Sequence, residues 1–395
     1  MSERVVRIAG RGDGVTDAGT YVPLAAPGDT IEAGEVVARG EGYRDPPCRH
    51  FPECGGCQLQ HLTDAAYARY CHDRIVGALR QKNTATEVRV SHVSPPRSRR
   101  RAELKALKLG KSVRLGFTRE KSHQIVDMRE CHILAPELFA LLAPLRRLLG
   151  TLLPPRRTGR IQMTLTDQGV DLLLGGVDTD SLEAAEALPA FAAEHRLARL
   201  SVDDGFGGEP RYEPQPVTVT LSDIAVPFAQ GSFLQATADG EAALVAGVAD
   251  ALDGSDGPVL DLFAGLGTFA LRQSGPVTAA EAAREAVVAL MQAARRSGHP
   301  IEAIHRDLYR RPYDATELRP FGAVILDPPR SGAEAQCRAL AETAVPTIAY
   351  VSCNPGTFAR DAAMLVAGGY TLDWVQPVGQ FRWSTHVELV SRFSR

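Results

Sequence analysis

Cys353 stands between an apolar run, Val345 to Val351, and a Pro-Gly pair in Val351-Ser-Cys-Asn-Pro-Gly-Thr-Phe358. A thiol at the C-terminal end of a buried strand sits where an open α/β sheet presents its reactive groups. It could serve as a nucleophile, although a packed, inert cysteine is the commoner fate of such a residue. A second thiol group lies far upstream. Cys48, Cys54 and Cys57 follow the order Cys-x5-Cys-x2-Cys, with Gly55-Gly56 inside the tighter pair. Closely spaced thiolates flanked by glycines can wrap around one metal centre. The fourth ligand would be Cys71 or Cys131, and spacing alone leaves zinc and an iron–sulfur cluster equally open.

Several predicted strand ends carry polar groups. Asp261-Leu-Phe-Ala-Gly-Leu-Gly-Thr268 has a Gly-x-Gly spacing without the third glycine of a dinucleotide fingerprint, and it resembles the first loop of a class I methyltransferase. Glu281 at the next strand end can accept hydrogen bonds from both hydroxyls of a ribose. Asp307 ends the strand after that. An N-cap role for Asp307 and a helix-start role for Glu281 are the plainer alternatives. In Leu326-Asp-Pro-Pro-Arg330 a carboxylate is followed by two prolines that stiffen the backbone, forming a rim suited to a flat ring. Arg330 occupies the place where amine methyltransferases commonly stack an aromatic residue. His386-Val-Glu388 lies on a further strand pattern, where Glu388 could be a surface residue.

These groups need a doubly wound sheet to bring them together. After Gly257 the pattern alternates strands 259–262, 277–280, 301–304, 323–326, 346–352 and 386–392 with helices 283–296, 332–344 and 357–368. A helix from Gln235 to Ala249 precedes them. Upstream, residues 4–44 read as short strands joined by glycine-rich turns, a small barrel-like module. Residues 65–79 read as a helix and 101–109 as a strand with one charged face. A helix over 135–149, strands 160–165 and 169–174, and a helix over 184–197 form a middle platform. The predicted division is 1–45, 46–210 and 211–395.

Net charge is −3, but residues 1–135 carry 22 Lys+Arg against 16 Asp+Glu, and the remainder 22 against 31. A basic front and an acidic back fit a polyanion gripped at the N-terminal side. Residues 97–121 are the most basic stretch, with ten cationic side chains against Glu103 and Glu120. Clustered guanidinium groups suit phosphate; a solvated strand face is the bland account. No leader-like run follows Met1, and no apolar run reaches the roughly 18 residues of a membrane span. The cytoplasm is the default expectation, where close cysteines favour metal over disulfide.

Together these motifs resemble the RNA 5-methyluridine methyltransferase family, and most closely its iron–sulfur-containing ribosomal-RNA branch. The resemblance rests on Cys48-x5-Cys-Gly-Gly-Cys-x2-Gln-His61, Arg99-Arg-Arg-Ala102, Phe233-x-Gln235, the Asp261–Gly267 loop, Asp327-Pro-Pro-Arg-x-Gly332, Ser352-Cys-Asn-Pro355 and His386-Val-Glu388. It implies a Rossmann-like class I methyltransferase domain, a TRAM/OB-like N-terminal module in shortened form, and an inserted iron–sulfur and central α+β domain. It further implies that Cys48, Cys54, Cys57 and Cys131 hold a [4Fe–4S] cluster, leaving Cys71 and Cys337 structural. Gln235, Phe263, Thr268, Glu281, Asp307 and Asp327 would line the S-adenosylmethionine pocket, Cys353 would be the nucleophile and Glu388 the base. The family often has Asn where Thr268 and Asp307 stand. The implied partner is 23S rRNA, bound by a monomer. A tRNA substrate, a non-catalytic RNA-binding protein and a radical methylase are the competing readings. The cysteine group argues against the first, the presence of Cys353 and Glu388 against the second, and the missing Cys-x3-Cys-x2-Cys signature against the third.

Overall fold

The computed structural model describes residues 2–395. Apolar runs buried on both faces build the largest sheet, as parallel strands between helices require. In spatial order it contains Ile301–His305, Val277–Glu281, Val259–Leu262, Ala323–Leu326 and Thr347–Ser352, all parallel. Glu388–Ser394 then runs antiparallel beside Thr347–Ser352, and Thr371–Gly379 pairs outside it. The strand Thr371–Gly379 has no counterpart in the sequence reading. Its period is broken by a bulge between Leu372 and Trp374 and by Pro377. Helices Ala238–Ala251, Arg284–Ser297, Glu334–Ala341 and Pro355–Ala367 cover the sheet.

The short strands Glu87–Val88 and His92–Val93 join this sheet along Thr371–Gly379. The helix Asp64–Arg80 packs beside them, burying Tyr67, Tyr70, Cys71 and Ile75 in the same core as Leu326 and Tyr350. A span expected in the middle segment thus lies against the C-terminal sheet, because its apolar face is complementary to that sheet edge.

The central sheet has the order Gly208–Tyr212, Arg199–Asp203, Gly169–Gly175, Thr158–Thr166, Arg101–Leu109, Ser112–Gly116. Ala102, Leu104 and Ala106 point into its core, as the alternation predicts. The expected helix over 135–149 is two pieces, Pro136–Ala140 and Leu142–Leu152. The N-terminal strands Glu3–Ile8, Gly14–Thr16, Tyr21–Val22, Thr30–Glu32 and Glu35–Ala38 form a five-stranded sheet over a core of Val5, Val22, Ala25 and Ile31. Among the described residues, no helix is long and apolar enough to cross a membrane.

Candidate active site

The polar groups meet at the C-terminal ends of the parallel strands, where sheets of this kind form a crevice. Asp261, within Val259–Leu262, is fully buried and neither carboxylate oxygen has a hydrogen-bond partner. Burial, and then the charges of Asp327 and Glu281, hold its carboxyl well above the usual carboxylate range. Beyond it, Phe263 adopts a left-handed φ of 65° and packs on Tyr309, ring centroids 5.6 Å apart. Gly267 has φ +89°, and a Cβ there would lie 2.4 Å from Leu290, so only glycine lets the loop settle on the following helix. Thr268 is half-buried on the same loop.

Glu281 ends its strand and accepts from the N–H groups of Gly265 at 3.0 Å and Ala283 at 2.8 Å. It therefore ties the second strand end to the glycine loop. Asp307 accepts from the N–H groups of Tyr309 at 3.0 Å and Arg310 at 3.2 Å, shaping a turn. Tyr309, which sequence reasoning passed over, hydrogen-bonds Ser331 at 2.7 Å and donates to the Gly332 carbonyl at 3.0 Å. It links the Asp307 turn to the Pro-Pro loop.

Asp327 follows Ala323–Leu326, half-buried, its carboxyl pushed up to about 7 by burial and then by Glu281. The loop it opens is laced to the next. The Asn354 side-chain amide donates to the Arg330 carbonyl at 3.0 Å, and the Thr357 hydroxyl donates to it at 3.2 Å. The expected Pro-Gly turn is the first turn of a helix: Asn354 caps it by accepting from Gly356, and Pro355 occupies its start.

Antiparallel pairing brings in the final carboxylate. Ser352 is opposite Leu389, so Cys353 and Glu388 follow as neighbours at the same sheet end. Burial, and then Glu388 and Asp327, push the Cys353 thiol up to about 11, with Arg330 opposing them. Glu388 is buried, and its carboxyl rises to about 8 through burial and Asp327, against Gln380, Arg330 and Arg101. Arg330 is itself held by donating to Nδ1 of His386 at 3.1 Å. Gln235 is buried, with its Oε1 accepting from Gln380 Nε2 at 2.7 Å. It precedes the helix rather than starting it, since Thr237 is the cap. Gln380 directly follows the strand Thr371–Gly379, which the sequence reading missed.

The structure also gathers the N-terminal thiols. Cys48, Cys54, Cys57 and Cys131 line one small cavity with Phe117, Met128 and Ile133, all four as free thiols. Burial raises each thiol. Among the described residues, no set of three or more His, Cys, Asp or Glu converges closely enough to hold a metal ion. Cys71 lies elsewhere, fully buried with its sulfur near Gly379, and Cys337 is buried in the helix Glu334–Ala341.

The basic stretch divides. Arg99 lies over the rings of Phe117 and Phe381, at 5.5 and 5.4 Å, near Cys57, Cys131 and Cys54. Arg100 pairs with Glu241 at 2.6 Å, and Arg101 donates to the Leu234 carbonyl while covering Phe233 at 4.7 Å. These three guanidiniums are spent inside the protein, whereas Lys111 and Arg114 are exposed on the outer hairpin.

A family model described as tRNA (uracil-5-)-methyltransferase matches residues 305–391, the segment holding Asp327, Cys353 and Glu388. An uncharacterized RNA methyltransferase of Zymomonas mobilis is 47% identical over the whole of both chains. The 23S rRNA (uracil(1939)-C(5))-methyltransferase RlmD of Chromohalobacter salexigens is 35% identical, covering 93% of this chain and 80% of that one. The chain belongs to the RNA uracil-C5 methyltransferases. The fold agrees with that family. The Pyrococcus abyssi tRNA (uracil-54, C5)-methyltransferase, solved with S-adenosyl-L-homocysteine, superposes with a TM-score of 0.76 across both full chains at 22% identity. The family's α/β methyltransferase body and β-rich N-terminal region are both present.

Proposed function

We propose that this RNA methyltransferase moves a methyl group from S-adenosylmethionine to C5 of a uridine in 23S rRNA, with Cys353 bonded transiently to C6. The observation that carries this reading is the placement of a thiol, a buried carboxyl and a group of uncompensated carboxylates at one sheet end. Asp327 raises the proton affinity of Asp261, Glu281 raises that of both, and neither Asp261 carboxylate oxygen has a hydrogen-bond partner. Such a crevice fits a cationic ligand, and S-adenosylmethionine carries both a sulfonium and an ammonium group. When bound it supplies an electrophilic methyl. Gln235, Phe263, Thr268, Glu281, Asp307 and Asp327 would line its pocket.

Carbon 5 of uridine is a weak nucleophile. Addition of the Cys353 thiolate to C6 makes the ring enolate-like, and C5 can then take the methyl in line as the donor's carbon–sulfur bond breaks and S-adenosylhomocysteine is left. Glu388 must next accept the C5 proton, after which the C6–S bond breaks and the thiolate leaves. Arg330 offsets negative charge beside both groups. The target base leaves its stack to enter.

The four N-terminal thiols gather on one small cavity, and four protein thiolates are the ligand set of a [4Fe–4S] cluster. Cys48, Cys54, Cys57 and Cys131 would hold it in a structural role.

Incubation with methyl-labelled S-adenosylmethionine and either 23S rRNA or tRNA transcripts tests the substrate. Label should enter rRNA as 5-methyluridine. Labelling of tRNA alone would replace the rRNA reading.

A further inference from the structure

Gln380 ends the strand-to-loop passage after Thr371–Gly379 and is almost completely buried. Its Oε1 accepts from the backbone N–H of Ala236 at 2.9 Å. A backbone amide can only donate, so this contact fixes which end of the Gln380 amide is oxygen. Nε2 must then face the other way. There it donates to Oε1 of Gln235 at 2.7 Å. That bond fixes the second amide in turn: Gln235 offers oxygen to Gln380 and has its own NH2 group left for the crevice.

Glu388 is paired with Val378, two residues before Gln380, so the Gln380 amide lies beside its carboxyl and favours the ionised form. An amide nitrogen carries two hydrogens, enough for both Gln235 and Glu388. Packing holds the residue in place: a Cβ on Gly240 would lie 2.7 Å from the Gln380 Cβ, so the helix Ala238–Ala251 approaches it closely only because residue 240 is glycine.

We propose that Gln380 is a positioning residue that sets two groups at once, aiming the Gln235 amide with its donor end into the crevice and holding the carboxyl of the base Glu388 beside it. The other groups acting on Glu388 are Asp327, which opposes ionisation, and Arg330 and Arg101, which favour it. Cys353 is its neighbour across the sheet end. Gln380 is the uncharged member of this set and the one that also reaches the Gln235 side. The proposal rests on the reading of Glu388 as the base, but its central claim concerns the free protein.

The test is an infrared titration of the Glu388 carboxyl in substrate-free protein, assigned by its loss in Glu388→Gln and compared with Gln380→Leu. The variant should titrate about one unit higher, so that near neutral pH release of the methylated RNA from the enzyme slows about tenfold and recovers as pH rises. An unchanged titration midpoint, or an equal loss of rate at every pH, would overturn the proposal. Gly240→Ala, which displaces Gln380 without altering its amide, should raise the midpoint in the same direction, and serves if the first variant fails to fold. A wild-type protein inactive on every RNA would remove the methyl-transfer reading while leaving the titration result to stand.

Discussion

Asn354 donates its side-chain amide to the carbonyl oxygen of Arg330, 3.0 Å away, binding the loop after Cys353 to the loop after Asp327. Two strand ends are thereby held as one unit. The same Asn354 caps the helix Pro355–Ala367.

Replacing Asn354 by Ala should therefore act twice. Loss of the cap should lower stability by about 1 kcal/mol in denaturant unfolding. Loss of the link to Arg330 should lower turnover well beyond that, on the order of tenfold to a hundredfold. A variant destabilised but fully active would show that the link does not position the site.

Cys353→Ala should abolish methyl transfer and also covalent trapping on RNA containing 5-fluorouridine. Glu388→Gln should instead build up a protein–RNA adduct visible on denaturing gels, because the thiol can add but the C5 proton stays. Turnover by the first variant, or no adduct with the second, removes that residue from its role.

Glu388 should also leave a mark on stability. Its carboxyl stands at about 8 in the folded chain against an ordinary 4.5, so between those values the folded state keeps a proton that the unfolded state has released. Stability tied to that proton is complete below about 4.5 and is lost as pH rises through about 8. Glu388→Gln needs no proton there, so it should be the more stable protein at pH 8, by on the order of 4 kcal/mol. The gap should close near pH 4.5. A gap that ignores pH would contradict the burial argument.

Anaerobically purified protein should be coloured and contain iron and sulfide, and Cys57→Ser should lose both. Stoichiometric zinc without iron would replace the cluster by a single ion.

The sequence made the parallel core legible because strands buried on both faces leave apolar runs that meet the glycine loop after Leu262, Glu281 and Asp327. Cys353 was legible for the same reason. The strand Thr371–Gly379 was not, since a bulge and Pro377 interrupt its alternation, and Gln380 was lost with it. The basic run from Arg97 to Lys121 misled in part. Composition counts charges but not their partners, and Glu241, the Leu234 carbonyl and the rings of Phe117 and Phe381 claim three of those arginines. Tyr309 gave no signal at all: its position matters through contacts with Phe263 and Gly332 that only folding creates.

The strand Glu388–Ser394 runs against its neighbour, so its first residue, not its last, reaches the crevice. Under the proposed mechanism the thiol and its base come from two different strands, so the site is complete only once this antiparallel strand has paired with Thr347–Ser352.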